Sequence, residues 1–462
     1  MTRGRAGGVE PAAQQQVSTA PTKYRALLAV VVATIMALST AIYVGVASDR
    51  GTQAQRALAD GRLPNNAAPA STGTWVGTWS TSPAAAEPGT ETTGMADRSV
   101  RNVVHTSVGG TGARVTLSNL YGQSPLSITR ASIAVAAGSG TAAALPDTLR
   151  QLTFNGGPTV VVPPGRQVMS DAVRVVIPHD ADVLITTYTP NSSGPVTYHR
   201  HARQISYLAR GDHAADTTGA PYTEQTSSWR YLTALDVLSN EADGTVVVLG
   251  DSITDGITST MGANNRWTDV LYDRLRAEIA AGRRDLPRYS VVNQGISGNR
   301  VLTDGLGRPA DNPSGLNRFG RDVLERTNVK VVVIDLGVND ILRNPRLADP
   351  NAVLGGLRTM VGQAHARGLR VVGATLMPFY GHRGYTDARE AVRQTINAEI
   401  RAGRVFDAVA DFDQALRDPY DPRRLKAEYD SGDHLHPSDA GFTRMAGAFD
   451  LGSLKGSAPA EL

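Results

Sequence analysis

The sequence predicts a two-part molecule. Residues 74–240 read as an all-β half of sandwich or jelly-roll type, and residues 241–452 as a flavodoxin-like, doubly wound α/β half. Three observations carry this. From Thr74 to about Asn240, short alternating or β-branched runs recur between clusters of Gly, Pro, Asn and Ser, and no long helical period interrupts them. From Gly244 onward, apolar runs alternate with amphipathic stretches of period 3.6, the pattern of a parallel sheet with crossover helices. Within that second half, Val246–Leu249 is an unbroken apolar run rich in β-branched residues, as expected of a strand buried on both faces.

Taken in order, residues 1–25 are polar and carry Arg3, Arg5, Lys23 and Arg25 against the single acid Glu10. Residues 26–47 come next with no charge at all, a run of 22 residues. That is long enough to cross a hydrocarbon core, and the cationic flank favours an amino terminus inside. Gly45-Val46-Ala47 offers a small-residue cleavage site, so membrane anchor and signal peptide both remain open. Either one exports the rest of the chain, to an extracellular or membrane-anchored location. Residues 48–73 read as a flexible linker rich in Ala, Gly, Gln, Asn and Pro.

The β half should place strands at Thr74–Trp79, Val100–Val108, Ala113–Leu120, Ser127–Val135, Val173–Ile177 and Val183–Tyr188. It is a separate domain or a β half packed on the next one. The α/β half should place strands at Val246–Leu249, Tyr289–Asn293, Val329–Leu336, Leu369–Leu376 and Val405–Ala410. Its helices are expected at Trp267–Ala281, Leu316–Arg326, Ala352–Arg367, Asp387–Ala402 and Ser438–Ala448. The stretch beyond Leu451, residues 453–462 above all, reads as a loose polar tail.

Composition narrows the functions. With 462 residues, 41% hydrophobic and 19% charged, the chain can bury real cores. The net charge of +3 and the lack of a Lys/Arg block give no footprint for nucleic acid. Cysteine is absent, which excludes disulfides, thiolate metal sites and a cysteine nucleophile.

Chemistry gathers at the carboxyl ends of the predicted parallel strands, where open α/β sheets bind ligands. The first strand ends in Gly250-Asp251-Ser252, the second in Asn293-Gln294-Gly295-Ile296-Ser297-Gly298-Asn299-Arg300, the third in Gly337-Val338-Asn339-Asp340. After the fifth comes Asp433-His434-Leu435-His436-Pro437. A serine needs a base before it can attack a carbonyl, histidine suits that task near neutral pH, and a carboxylate must hold the imidazole's other nitrogen. The tetrahedral oxyanion then needs donors already in place. By itself Ser252 reads equally as a helix cap.

In this order, the four segments resemble the blocks of the SGNH (GDSL) hydrolase family. The resemblance spans residues 246–449 and implies a serine esterase with Ser252 as nucleophile, His436 as general base and Asp433 orienting it. It implies an oxyanion hole made of the backbone N–H groups of Ser252 and Gly298 and the side-chain amide of Asn339. The preceding half, with Trp75-Val76-Gly77-Thr78-Trp79, Arg101-Asn102, Ser118-Asn119 and Gly211-Asp212, is similar to the companion region of a secreted bacterial branch resembling carbohydrate (xylan) esterases. Such an enzyme removes short acyl groups, acetyl above all, from a small-molecule or polysaccharide ester, with no cofactor and no metal. The alternatives are a lipase or general carboxylesterase, an acyltransferase, or a non-catalytic cell-surface protein that binds glycans.

Other polar residues near these segments carry two readings each. Asn299 and Arg300 line the cleft or brace it. Tyr380, His382 and Tyr385 come after the fourth strand and contact substrate or pack the rim. Asp251 bonds the tight turn or takes part in catalysis, Asp340 braces the loop holding Asn339 or acts directly, and His434 is the base or a solvated loop residue. His199 and His201, two apart on a strand, share one face as a metal pair or as packing and hydrogen-bonding groups.

Overall fold

The computed structural model describes residues 73–458. The charge-free run 26–47 lies outside them; among the described residues no helix is long and apolar enough to cross a membrane.

Alternating strands of the first half form two large antiparallel sheets, beside a small sheet of three strands that includes Thr197–His199 and a pair, Leu126–Ile128 with Val160–Val162. One orders its strands Thr74–Ser80, Leu232–Ser239, Gly110–Ser118 and Val173–Ile177, with Gln167–Met169 also pairing with Gly110–Ser118. The other runs Glu224–Thr226, Ser206–Arg210, Arg98–His105, Asp182–Thr189, Arg130–Val135 and Arg150–Gln151. Val76, Val115 and Leu235 of the first share one core with Val104, Ile133 and Val183 of the second, so the halves of a sandwich close on each other.

In the second half the apolar runs become five parallel strands: Gly244–Gly250, Tyr289–Gly295, Val329–Asp335, Arg370–Ala374 and Ala408–Ala410. Counted along the chain they lie in the order 2-1-3-4-5. Val246–Leu249 is wholly buried and pairs with a neighbouring strand on each side. The order reverses at this first strand, so its carboxyl end is the topological switch point where ligands bind.

The β sandwich does not stand apart. Its hydrophobic core runs on into that of the parallel sheet, and the described residues 73–458 lie in one compact unit. The Thr74–Ser80 strand lies against the Tyr289–Gly295 strand, where the Gly77 N–H donates to Thr245 Oγ1 at 3.1 Å.

Four expectations change. The strand read over Ser127–Val135 divides into Leu126–Ile128 and Arg130–Val135, which join different sheets. The helix read over Leu316–Arg326 is an α-helical turn, Gly315–Phe319, continued by a π turn, Gly320–Leu324. Its Arg318 is buried and donates to the carbonyls of Gly250 (2.9 Å) and Gln294 (2.7 Å), clamping two strand ends. The fifth strand is only Ala408–Ala410, because Val405 and Phe406 pack as core; the Phe406 ring fills the space where a Cβ on Gly373 would stand. The described start of the tail is packed. Leu451–Leu454 is a 3-10 turn with Leu454 fully buried, and Lys455 pairs with Asp285 at 2.7 Å.

Candidate active site

Ser252 opens a one-turn helix, Ser252–Asp255, directly after the first parallel strand. Asp251 caps that turn, its Oδ1 accepting the Ile253 N–H at 3.0 Å. The turn sits hard against the end of the second strand. A Cβ on Gly295 would come within 2.3 Å of the Asp255 backbone nitrogen, so only glycine fits there.

His436 arrives from the far end of the chain. Asp439 accepts from the Thr260 N–H at 3.0 Å and from its hydroxyl at 2.6 Å, and Thr258 Oγ1 donates to the Pro437 carbonyl at 2.7 Å. These bonds seat the segment before the Asp439–Ala448 helix on the serine loop. The result is a continuous relay. Ser252 Oγ lies 2.8 Å from His436 Nε2, and His436 Nδ1 lies 2.5 Å from Asp433 Oδ2. The other Asp433 oxygen accepts the backbone N–H groups of Leu435 (3.0 Å) and His436 (2.8 Å). Partial burial pushes the Asp433 carboxyl up, but the bonds and charge of His436 outweigh it and hold it well below the usual carboxylate range. It is therefore ionised whenever the imidazole needs it.

Three groups are candidate donors to an oxyanion. Ser252 N–H is the first of its helix and has no intrahelical acceptor. Gly298 has φ +77, and its N–H bonds no acceptor among the described residues. Asn339 Nδ2 spends one hydrogen on Asp251 Oδ2 at 3.1 Å and keeps the second. Its Oδ1 accepts from Arg343 Nε at 3.1 Å, which fixes the amide's orientation. The Arg343 guanidinium also covers Gly298, where an added Cβ would fall 2.5 Å from its central carbon. Arg343 so bridges two of the three donors. It lies four residues beyond Asn339, one helical turn, a spacing that a search from Asn339 would have reached.

Asp251 and Asp335 are buried together. Burial first, then the charge of Asp335, pushes the Asp251 carboxyl up; burial pushes that of Asp335 up to about 6, against a bond from Thr254 Oγ1 at 2.9 Å. A raised carboxyl favours folding while it is protonated. That contribution is full below the unfolded value near ~3.9 and is lost as pH climbs through about 6. Asp335→Asn keeps the acceptor for Thr254 without the charge. It is expected to raise the melting temperature at pH 8 and to leave it nearly unchanged at pH 4, as calorimetry at both values will read. An equal shift at both would show that ionisation of Asp335 is not the cause.

Residues 248–444 match the model of the GDSL-like lipase/acylhydrolase family. This segment belongs to that family. The acylhydrolase domain is similar in structure to a carbohydrate acetylesterase from Sinorhizobium meliloti, at 16% identity over 44% of this chain and 95% of that one, TM-score 0.34. It is also similar to a lipase/acylhydrolase from Enterococcus faecalis (22%, 45% and 93%, 0.33). A GDSL-like lipase from Bacteroides thetaiotaomicron gives 22%, 44% and 84%, and 0.32. Comparison with curated proteins found no match.

The acylhydrolase cleft has a volume of about 720 Å³ and is lined by Ser252, Asn339, Arg343, His382, Arg383 and His436 among others. His382 is thus at the cleft, with burial pushing its imidazole down. Tyr380 and Tyr385 are not in the lining; they pack edge to face on each other at 4.8 Å, with Arg423 over the Tyr380 ring and the Tyr385 hydroxyl donating to Asp387. Asn299 cannot reach a substrate. It is fully buried, donating to Asn312 Oδ1 and the Pro313 carbonyl and accepting from Arg318. Arg300 turns to the Asp304 carbonyl. Asp340 accepts the N–H groups of Val301 and Leu302, tying the second strand's loop to the third's. His434, at φ +63, pairs with Asp430 and faces solvent. Trp267 is buried against Phe412 and Phe449.

Proposed function

We propose that the chain is a serine esterase that removes short acyl groups, acetyl foremost, from carbohydrate alcohols. The relay from Ser252 Oγ through His436 Nε2 to Asp433, facing an open cleft, is the observation that carries this reading. Ser252 Oγ attacks the ester carbonyl as its proton passes to His436 Nε2. The oxyanion sits among the N–H groups of Ser252 and Gly298 and the free hydrogen of Asn339 Nδ2. Collapse expels the alcohol, protonated by His436, and leaves an acyl-serine. Water, deprotonated by the same imidazole, attacks that ester through the same oxyanion geometry and frees the acid.

The short-acyl preference rests on the cleft's lining. Leu342 and Leu435 are its only large apolar side chains, against Asn339, Arg343, His382, Arg383 and the relay itself. A long acyl chain gains about 0.8 kcal/mol for each methylene it buries, and this cleft offers little surface to bury one. Export through residues 26–47 belongs to the same proposal, since it would bring the enzyme to extracellular polymers.

A series of p-nitrophenyl esters from acetate to decanoate, run beside acetylated xylan, tests it. The expected kcat/KM is highest at acetate or propionate and falls at least about tenfold by octanoate. A maximum at octanoate or beyond would assign the enzyme to the lipases instead.

A further inference from the structure

The sandwich half reaches the serine's helical turn through a buried histidine. His199 ends the Thr197–His199 strand, wedged between Trp229 and the α/β half and only 3% exposed. Its Nδ1 lies 2.9 Å from the Ser82 carbonyl and its Nε2 lies 2.8 Å from Asp255 Oδ1. Both ring nitrogens thus have a partner, one in the sandwich half and one on the serine's helical turn. Asp255 is the last residue of the helical turn that Ser252 opens. Its other oxygen accepts the Ser297 N–H at 3.0 Å and the Ser297 hydroxyl at 2.5 Å. Burial pushes the Asp255 carboxyl up, but His199, His201 and Ser297 together hold it well below the usual carboxylate range. His201 stands 3.6 Å from the same carboxylate. The two histidines thus do share a target, an aspartate.

Ser297 immediately precedes Gly298. The Ser297 carbonyl and the Gly298 N–H belong to one planar peptide, so whatever holds the carbonyl aims the N–H. Asn312 Nδ2 donates to that carbonyl at 2.9 Å. Asn312 in turn is held by the sandwich half, its N–H donating to the Ala84 carbonyl at 2.7 Å. Ser297 is therefore gripped at its N–H and hydroxyl on one side and at its carbonyl on the other, and both grips lead back to the first half of the chain.

We propose that the sandwich half sets the oxyanion donor Gly298 through these two grips, His199–Asp255–Ser297 and Ala84–Asn312–Ser297, which makes His199 and Asn312 positioning residues for the reaction. This rests on the esterase reading above and gives the sandwich a part in the chemistry. Neither residue reaches the substrate. They act through the direction of one N–H, which matters more to the oxyanion than to the bound ester.

The test uses the full chain and p-nitrophenyl acetate. His199→Ala is expected to lower kcat by roughly tenfold to a hundredfold, with KM within about twofold of the wild type. The rate of Ser252 labelling by a fluorophosphonate should fall by a similar factor, because that reaction also builds charge in the hole. His199→Gln should recover part of the loss, since its amide can donate to Asp255. Asn312→Gly removes the second grip without straining the backbone, because Asn312 sits at φ +49, and it should reproduce the kcat loss. Val183→Ala, in the sandwich core away from the relay, serves as the control: it lowers the melting temperature and leaves kcat intact. If His199→Ala lowers only the melting temperature and keeps wild-type kcat, His199 is structural and the proposal is overturned. Wild-type protein that neither hydrolyses the ester nor takes up fluorophosphonate would instead overturn the esterase reading, and this proposal with it.

Discussion

Ser252→Ala is expected to lower kcat for p-nitrophenyl acetate by about 10⁴–10⁶-fold and to abolish fluorophosphonate labelling. The size comes from the relay acting as one unit. His436 Nε2 has a single partner to activate, the Ser252 hydroxyl at 2.8 Å, and without it the imidazole and Asp433 have no nucleophile to serve. His436→Ala should therefore fall within about tenfold of Ser252→Ala, and the double variant should be little worse than either. The fold should not suffer. The cap on the serine's helix comes from Asp251, and the serine hydroxyl bonds only the histidine. Unchanged thermal melting beside the lost activity is the expected pair of measurements. Retained turnover in Ser252→Ala would remove the acyl-enzyme mechanism.

Asn339→Ala is expected to lower kcat by about 10²–10³-fold, or about 2.7–4 kcal/mol in the barrier, with KM little changed. In the proposed mechanism the free Nδ2 hydrogen meets charge that exists only in the tetrahedral state, so its loss is a loss in kcat. A second cost comes with it. The other Nδ2 hydrogen satisfies Asp251 Oδ2, a carboxylate already pushed up by burial. Leaving that oxygen without a donor should lower stability by about 1–3 kcal/mol. Activity must therefore be read well below the melting temperature, and the stability loss tracked separately by denaturant titration. An unchanged kcat would take Asn339 out of the oxyanion hole.

Much of the α/β half was legible because its signals are local. A β-branched run such as Val246–Leu249 has one economical environment, the middle of a parallel sheet. The helix starting at Trp267 and the one starting at Asp387 each begin at the residue their periodicity indicates. The spacing of Asp433 and His436 also speaks locally, since three residues let one turn supply both the carboxylate and the backbone N–H groups that hold it. What misled was also local. Asn299 and Arg300 come directly after Gly298, the proposed oxyanion glycine, and nearness in sequence suggested nearness to substrate. The chain turns at Gly298 with positive φ and carries Asn299 into the interior instead. Tyr380 and Tyr385 lie just past a strand's active end, but they satisfy each other and Arg423 before any ligand.

By itself, then, the sequence determined the order of the elements, the strand ends at which polar residues collect, and the type of reaction those residues can run. These depend on side-chain period and on short spacings, which a single chain displays directly. Only the tertiary structure decided which buried polar groups find each other across long separations. His199 meets Asp255 56 positions away, and Asn312 sits between Ala84 and Ser297. A buried charge or amide must find a partner somewhere, but nothing in its own neighbourhood of sequence names that partner. The packing of the sandwich against the parallel sheet names it, and so links the first half of the chain to the serine at the end of the first parallel strand.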